Sequence, residues 1–215
     1  GTDILGNPNR DYLTIKYDSS GVEKWTRKYN GPGNSEDTAY SLALDVSGNI
    51  YVTGTSTGSG AGTDYATIKY NNSGVRQWIS YYNGIGNYVD IANSITVDDS
   101  GNVFVTGGSR DTNQIPDIAT VKYNSDGVEQ WVERYNGPGN SYDIVANMGT
   151  DSAGNIYVYG SSNSSSSLFD FAIIKYNASG AELWSANYDG EGNSTDQIFK
   201  GYTDKSGNSY VTGFT

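Results

Sequence analysis

Residues 90–135 read DIANSITVDDSGNVFVTGGSRDTNQIPDIATVKYNSDGVEQWVERY. Four short runs rich in β-branched and aromatic side chains alternate with clusters of Gly, Asn, Asp and Ser. Asp90–Val97 is the first run, Asn102–Thr106 the second, Asp117–Tyr123 the third and Val128–Tyr135 the fourth. The turns DDSGN at 98–102 and NSDG at 124–127 each carry a Gly where a hairpin turn with a bulge requires positive φ. A polar loop, 107–116, separates the second and third runs. Helical periodicity is absent, so the segment predicts four consecutive antiparallel strands.

The same reading recurs at a step of 53 residues. Trp25, Trp78, Trp131 and Trp184 follow it, as do Lys16, Lys69, Lys122 and Lys175. So do Asp45, Asp98, Asp151 and Asp204, which open the D-x-x-G-N turns. Segments 11–54 and 64–107 align without a gap and agree at more than half of their positions. Four antiparallel strands per repeat, at a fixed period, are the signature of propeller blades. The chain therefore predicts an all-β, four-bladed β-propeller: one domain over 1–215, with repeat phases starting near 11, 64, 117 and 170. Residue 1 has the phase of residue 213, so first and last strands fall in one blade, a 2+2 closure that removes exposed edges. A closed ring of this kind is expected to be a monomer. With Gly1 in place of Met, the chain reads as a processed product or an excerpt of a longer array and protein.

Composition agrees. Gly numbers 28, aromatic residues make up 13% and charged residues only 17%, a mix suited to short strands and tight turns. There is no Cys and no His, which excludes disulfides, Cys/His zinc sites, a Cys nucleophile and a Ser-His-Asp triad within the chain. No apolar run is long enough for a transmembrane helix. A net charge of −11 argues against nucleic acid and anionic membrane surfaces as partners.

The pattern D-x-x-G-N-x-Y-V-T-G, preceded by D-x-A and followed by D-Y-x-T-I-K-Y, resembles the SBBP family of bacterial β-propeller repeats. The resemblance covers essentially the whole chain. It implies a module of a secreted or cell-surface bacterial protein; the family name implies seven blades, where this chain has material for four.

Strand alternation places the tight turns on one face and the G-x-G-N connectors with the loops 1–10, 54–63, 107–116 and 160–169 on the other. Variable loops on a rigid scaffold make a candidate binding face for a protein or a glycan. The Trp ladder suits packing between blades, with sugar stacking as the alternative. The Lys ladder suits pairing with Asp11, Asp64, Asp117 and Asp170, or extension along the blade. Asp45 and its copies read as turn residues. Asp37, Asp90, Asp143 and Asp196 each open a first strand and would ring one mouth of the central channel. Ca²⁺ or Na⁺ would relieve their repulsion, as in hemopexin-like four-bladed propellers, which this chain resembles in blade number and in the Asp-x-Ala start. Otherwise each Asp accepts N–H groups of its G-x-G-N turn. No catalytic residue and no other cofactor is expected. The reading is a non-catalytic interaction or scaffold module, with a carbohydrate-binding propeller as alternative. A carboxylate glycosidase comes last, because non-repeated acids are few (Asp3, Asp111, Glu191).

Overall fold

The computed structural model describes residues 10–58, 62–163, 168–192 and 194–215. Its sixteen strands begin with a hairpin, β1 (Tyr12–Tyr17) and β2 (Glu23–Tyr29). The first complete blade is β3 (Asp37–Leu44), β4 (Ile50–Thr57), β5 (Thr63–Tyr70) and β6 (Arg76–Tyr82). The second is β7 (Asp90–Val97), β8 (Val103–Arg110), β9 (Pro116–Tyr123) and β10 (Glu129–Tyr135). The third is β11 (Asp143–Thr150), β12 (Ile156–Asn163), β13 (Phe169–Tyr176) and β14 (Glu182–Tyr188). A last hairpin follows, β15 (Gln197–Thr203) and β16 (Ser209–Phe214). Each blade is an antiparallel meander in sequence order.

Side chains of the turn residues close these hairpins. Asp98 Oδ1 accepts the N–H groups of Ser100 at 2.9 Å and Asn102 at 2.8 Å, and Gly101 takes φ 79°. Asn124 holds Asp126 and Val128 in the same way at 3.0 and 2.9 Å. The loop 107–116 is shorter than its polarity predicts. Asp111 accepts from Asn113 and Ile115 at 2.8 and 2.9 Å, with Gln114 at φ 66°, so the ladder continues to Arg110↔Pro116.

The blades stack through apolar faces. Tyr51, Tyr65, Trp78 and Tyr82 of the first blade pack on Val103, Val105, Ala119, Val121 and Tyr123 of the second. Phe104, Trp131 and Tyr135 meet Ile156, Val158, Ala172, Ile174 and Tyr176 in the same way. The side chains at these positions are mostly excluded from water, which supplies the main stabilisation at roughly 25 cal/mol per Å² of apolar surface.

The ladders among the described residues do not include the expected 2+2 closure. β1–β2 and β15–β16 are separate two-stranded sheets, and no ladder joins β16 to β1. Each hairpin is held by its own neighbour: Tyr12, Trp25 and Tyr29 pack on the first blade, and Ile198 packs on Tyr157 and Tyr159 of the third. The result is an arc of three complete blades flanked by two half-blades.

Candidate functional site at the loop end of the blades

The G-x-G-N connectors and the longer loops share one end of the arc. Gly33 N–H donates to the Thr57 carbonyl at 3.0 Å, and Asn163 N–H donates to the Tyr142 carbonyl at 2.9 Å. Asp37, Asp90, Asp143 and Asp196 all lie here, fully buried. One oxygen of each accepts the N–H of the Gly six residues earlier: Gly31 at 2.5 Å, Gly84 at 2.6 Å, Gly137 at 2.9 Å and Gly190 at 2.6 Å. They cap the connectors of their own blades. Among the described residues no three of the four approach closely enough to share a cation. The acidic group that does is Asp170, Asp189 and Asp196, with one oxygen of each within 4.8 Å of the others.

Burial raises the Asp90 carboxyl above the usual range, and it pushes Asp143 up to about 6 against the hydrogen bond from the Gly137 N–H. Asp45 and Asp151 behave oppositely. Burial raises each, but hydrogen bonds from the Asn49 or Asn155 amide, the turn N–H groups and the Tyr51 or Tyr157 hydroxyl outweigh it, and both carboxyls end below their ordinary value. The D-x-x-G-N residues are thus turn residues, as their spacing implies.

The Lys ladder takes other partners than Asp11, Asp64, Asp117 and Asp170. Lys69 and Lys122 donate to the Ser125 and Ala178 carbonyls of the next blade at 3.1 and 2.8 Å. Lys175 pairs with Asp151 at 3.6 Å. Asp11 and Asp117 instead meet cations of the adjoining fourth strands, Lys28 at 3.5 Å and Arg134 at 2.9 Å. Strand three turns its Lys towards the tight-turn end, while its opening Asp lies at the loop end. The two are therefore too far apart along the strand to pair.

A cleft of about 260 Å³ opens at the loop end between the second and third blades. Ile91, Pro116 and Val145 supply apolar walls, and Asn93, Arg110 and Asp143 supply polar groups. Asn93 is the extra residue of a β-bulge, where the β7–β8 register shifts between Ala92 and Ser94. Such a bulge re-aims a side chain out of the ladder. Arg134, on β10, holds the base of the β8–β9 turn, donating to Ser109 Oγ at 2.6 Å, the Ser109 carbonyl at 2.9 Å and Asp117 at 2.9 Å. Sequence reasoning missed Asn93. Its signal is the odd three-residue step from Ala92 to Ile95, both buried on one face. Of the non-repeated acids, Asp111 serves its turn, Glu191 is exposed, and Asp3 lies outside the described residues.

The beta-propeller repeat family SBBP matches residues 24–60, 77–113 and 130–166, together more than half of the chain. The chain belongs to this family. No curated protein matches it. Among solved structures it is similar to a fucose lectin from Kordia zhangzhouensis in complex with methyl-fucoside, at 13% identity and TM-score 0.41, over 69% of this chain and 100% of the lectin. It is also similar to an α-L-arabinofuranosidase from Clostridium thermocellum, at 12% identity and TM-score 0.47, over 99% of this chain and 86% of that one.

Proposed function

We propose that this β-propeller repeat chain is a non-catalytic interaction module of a secreted or cell-surface bacterial protein. It binds a protein segment or a glycan at the loop end of its blades. The observation that carries the reading is the cleft between the second and third blades. Arg110 and Asn93 line it together with the apolar Ile91, Pro116 and Val145, beside the buried Asp143, all on or beside strands. The non-catalytic part is supported by the single carboxylate of the cleft, Asp143, where glycoside hydrolysis uses a pair. The net charge of −11 favours partners other than nucleic acid. No helix among the described residues is long and apolar enough to cross a membrane. The reading includes a 2+2 blade built from β15–β16 and β1–β2, each of which forms a two-stranded sheet among the described residues.

A glycan array and an immobilised peptide library, probed with wild type, Arg110→Ala and Asn93→Ala, test this. The expected result is a ligand whose affinity falls about tenfold or more in either variant, some 1.4 kcal/mol, with melting unchanged. A ligand indifferent to both variants would place binding elsewhere. Hydrolysis of an arrayed polysaccharide would overturn the non-catalytic reading.

A further inference from the structure

Three of the G-x-G-N connectors are preceded by Asn, giving the pairs Asn30–Gly31, Asn83–Gly84 and Asn136–Gly137. Contacts fix both members of each pair. A Cβ on Gly84 would fall on Ser109 Oγ and Asp90 Oδ1, and one on Gly31 or Gly137 would meet Ser56 or Ser162 and the matching Asp. The Asn amides tie the far end of the turn: Asn30, Asn83 and Asn136 Nδ2 donate to Asn34, Asn87 and Asn140 Oδ1 at 2.6, 2.6 and 2.5 Å. Those acceptors stand at φ 48°, 50° and 46°, a left-handed conformation that Asn tolerates better than most residues. Packing and hydrogen bonding thus call for Asn-Gly at the same place in three connectors.

Asn-Gly is also a chemically fragile pair in water. With no Cβ on the Gly to hinder it, the Gly nitrogen attacks Cγ of the preceding Asn. A bond from that nitrogen to Cγ closes a succinimide ring, and the Cγ–Nδ2 bond breaks. The side-chain nitrogen leaves as ammonia, carrying the proton lost by the Gly nitrogen. Water then adds to either ring carbonyl and gives Asp or isoaspartate. Asn30, Asn83 and Asn136 are exposed to that water, while Gly31, Gly84 and Gly137 are buried.

We propose that the buried Asp37, Asp90 and Asp143 guard these bonds, and that Asn30, Asn83 and Asn136 are latent deamidation sites opened by loss of a cap. Each carboxylate holds the nitrogen that would attack, since Gly31, Gly84 and Gly137 N–H donate to it at 2.5, 2.6 and 2.9 Å. Before attack that nitrogen must shed its proton and carry negative charge. A carboxylate is far too weak a base to take the proton, and its own charge beside the nitrogen opposes the new one. Attack also requires the Gly bond and the Asn amide bond to break together. The fourth connector reads Asp189–Gly190, and its Gly190 N–H still donates to Asp196 at 2.6 Å. An α-linked Asp therefore fits the connector. Isoaspartate does not, because it places an extra carbon in the main chain and moves the Gly N–H off its carboxylate. The guard gives the repeated buried Asp a chemical task that needs no ion.

Wild type, Asp90→Ala and Asp90→Asn are incubated in mildly alkaline buffer beside urea-unfolded wild type, and peptide mapping by mass spectrometry follows each Asn-Gly pair. Folded wild type is expected to keep all three amides while the unfolded chain loses them. In Asp90→Ala the rate at Asn83 should rise about tenfold or more, the scale of a lost hydrogen bond to a charged group. Asn30 and Asn136 of the same molecules should stay at the wild-type rate. Asp90→Asn, which keeps an acceptor but not the charge, should fall between. Folded wild type that loses amide as fast as the unfolded chain would overturn the proposal. So would an Asn83 rate unchanged in Asp90→Ala, or an equal rise at all three sites. Should Asp90→Ala fail to fold, Asp90→Asn decides, and no local rise at Asn83 over Asn30 and Asn136 would overturn the proposal.

Discussion

The indole Nε1 of Trp78, in the outermost strand of the first blade, donates to the Ser125 carbonyl in a turn of the second blade at 3.0 Å. Trp25 bonds the Asn72 carbonyl at 3.1 Å, and Trp131 bonds that of Ala178 at 3.3 Å. Each indole satisfies its one donor across a blade boundary. The Trp78 ring lies between Tyr51 of its own blade and Tyr123 of the next, with centroids 5.9 and 6.4 Å away. This leaves three of the four Trp residues as fasteners between blades.

Trp78→Ala is expected to destabilise the chain by roughly 3–5 kcal/mol, the usual cost of truncating a packed aromatic. Trp184→Ala, followed only by the half-blade β15–β16 and 39% exposed, should cost the single chain less than half of that. Urea denaturation followed by circular dichroism, at a protein concentration where the chain is monomeric, checks both. Equal losses would mean that the indole ladder is not what joins the blades.

Gly127 and Gly21 share a backbone conformation, φ 81° and 82°, but not surroundings. Gly21→Ala should cost only the left-handed strain of about 1–2 kcal/mol. Gly127→Ala should add an overpacking cost of about 1–3 kcal/mol, because its Cβ would press on the Trp78 ring. The difference between the two variants in denaturant midpoint isolates the contact.

Asp143 should make stability depend on pH in the sense opposite to a paired carboxylate. Its folded pKa, about 6, lies above the ordinary 3.8, so the folded state holds the proton more tightly. The penalty is therefore full above pH 6 and fades as pH falls towards 4. Asp143→Asn should stabilise at pH 7.5, by up to about 2–3 kcal/mol at roughly 1.4 kcal/mol per pKa unit, and by little near pH 4. Melting curves of wild type and variant across that range read the difference. Asp45 and Asp151 contribute the reverse, support that is lost as pH falls through their lowered values.

Asp90 receives the Gly84 N–H, and Asp90→Asn keeps an acceptor for it. Asp90→Ala should cost about 1–2 kcal/mol, by analogy with removal of a helix cap, and Asp90→Asn much less. If the four equivalent carboxylates act only as caps, the melting temperature should not respond to chelator or to added Ca²⁺. A rise with Ca²⁺ that Asp90→Asn abolishes would restore the channel ion.

Much of this was legible along the chain. The 53-residue step, the D-x-x-G-N turns and the alternating apolar runs are local and repeated, so strand order, turn chemistry and the separation of the two faces follow from residues close in sequence. Inner strands such as Asp90–Val97 appear where their pattern puts them. The loop 107–116 was harder to read, because an Asx turn at Asp111 draws polar residues into a ladder without any apolar signal.

The sequence by itself determined the repeat: four antiparallel runs in every 53 residues, joined by turns that need Gly at positive φ. Only the tertiary structure decided how the blades end. Whether β16 pairs with β1, and whether Asp37, Asp90, Asp143 and Asp196 share a channel or stay apart, depends on how successive blades are set against one another. That setting arises from packing summed over every interface. A repeat written four times specifies the interface between neighbours, and nothing in it counts how many neighbours complete the ring.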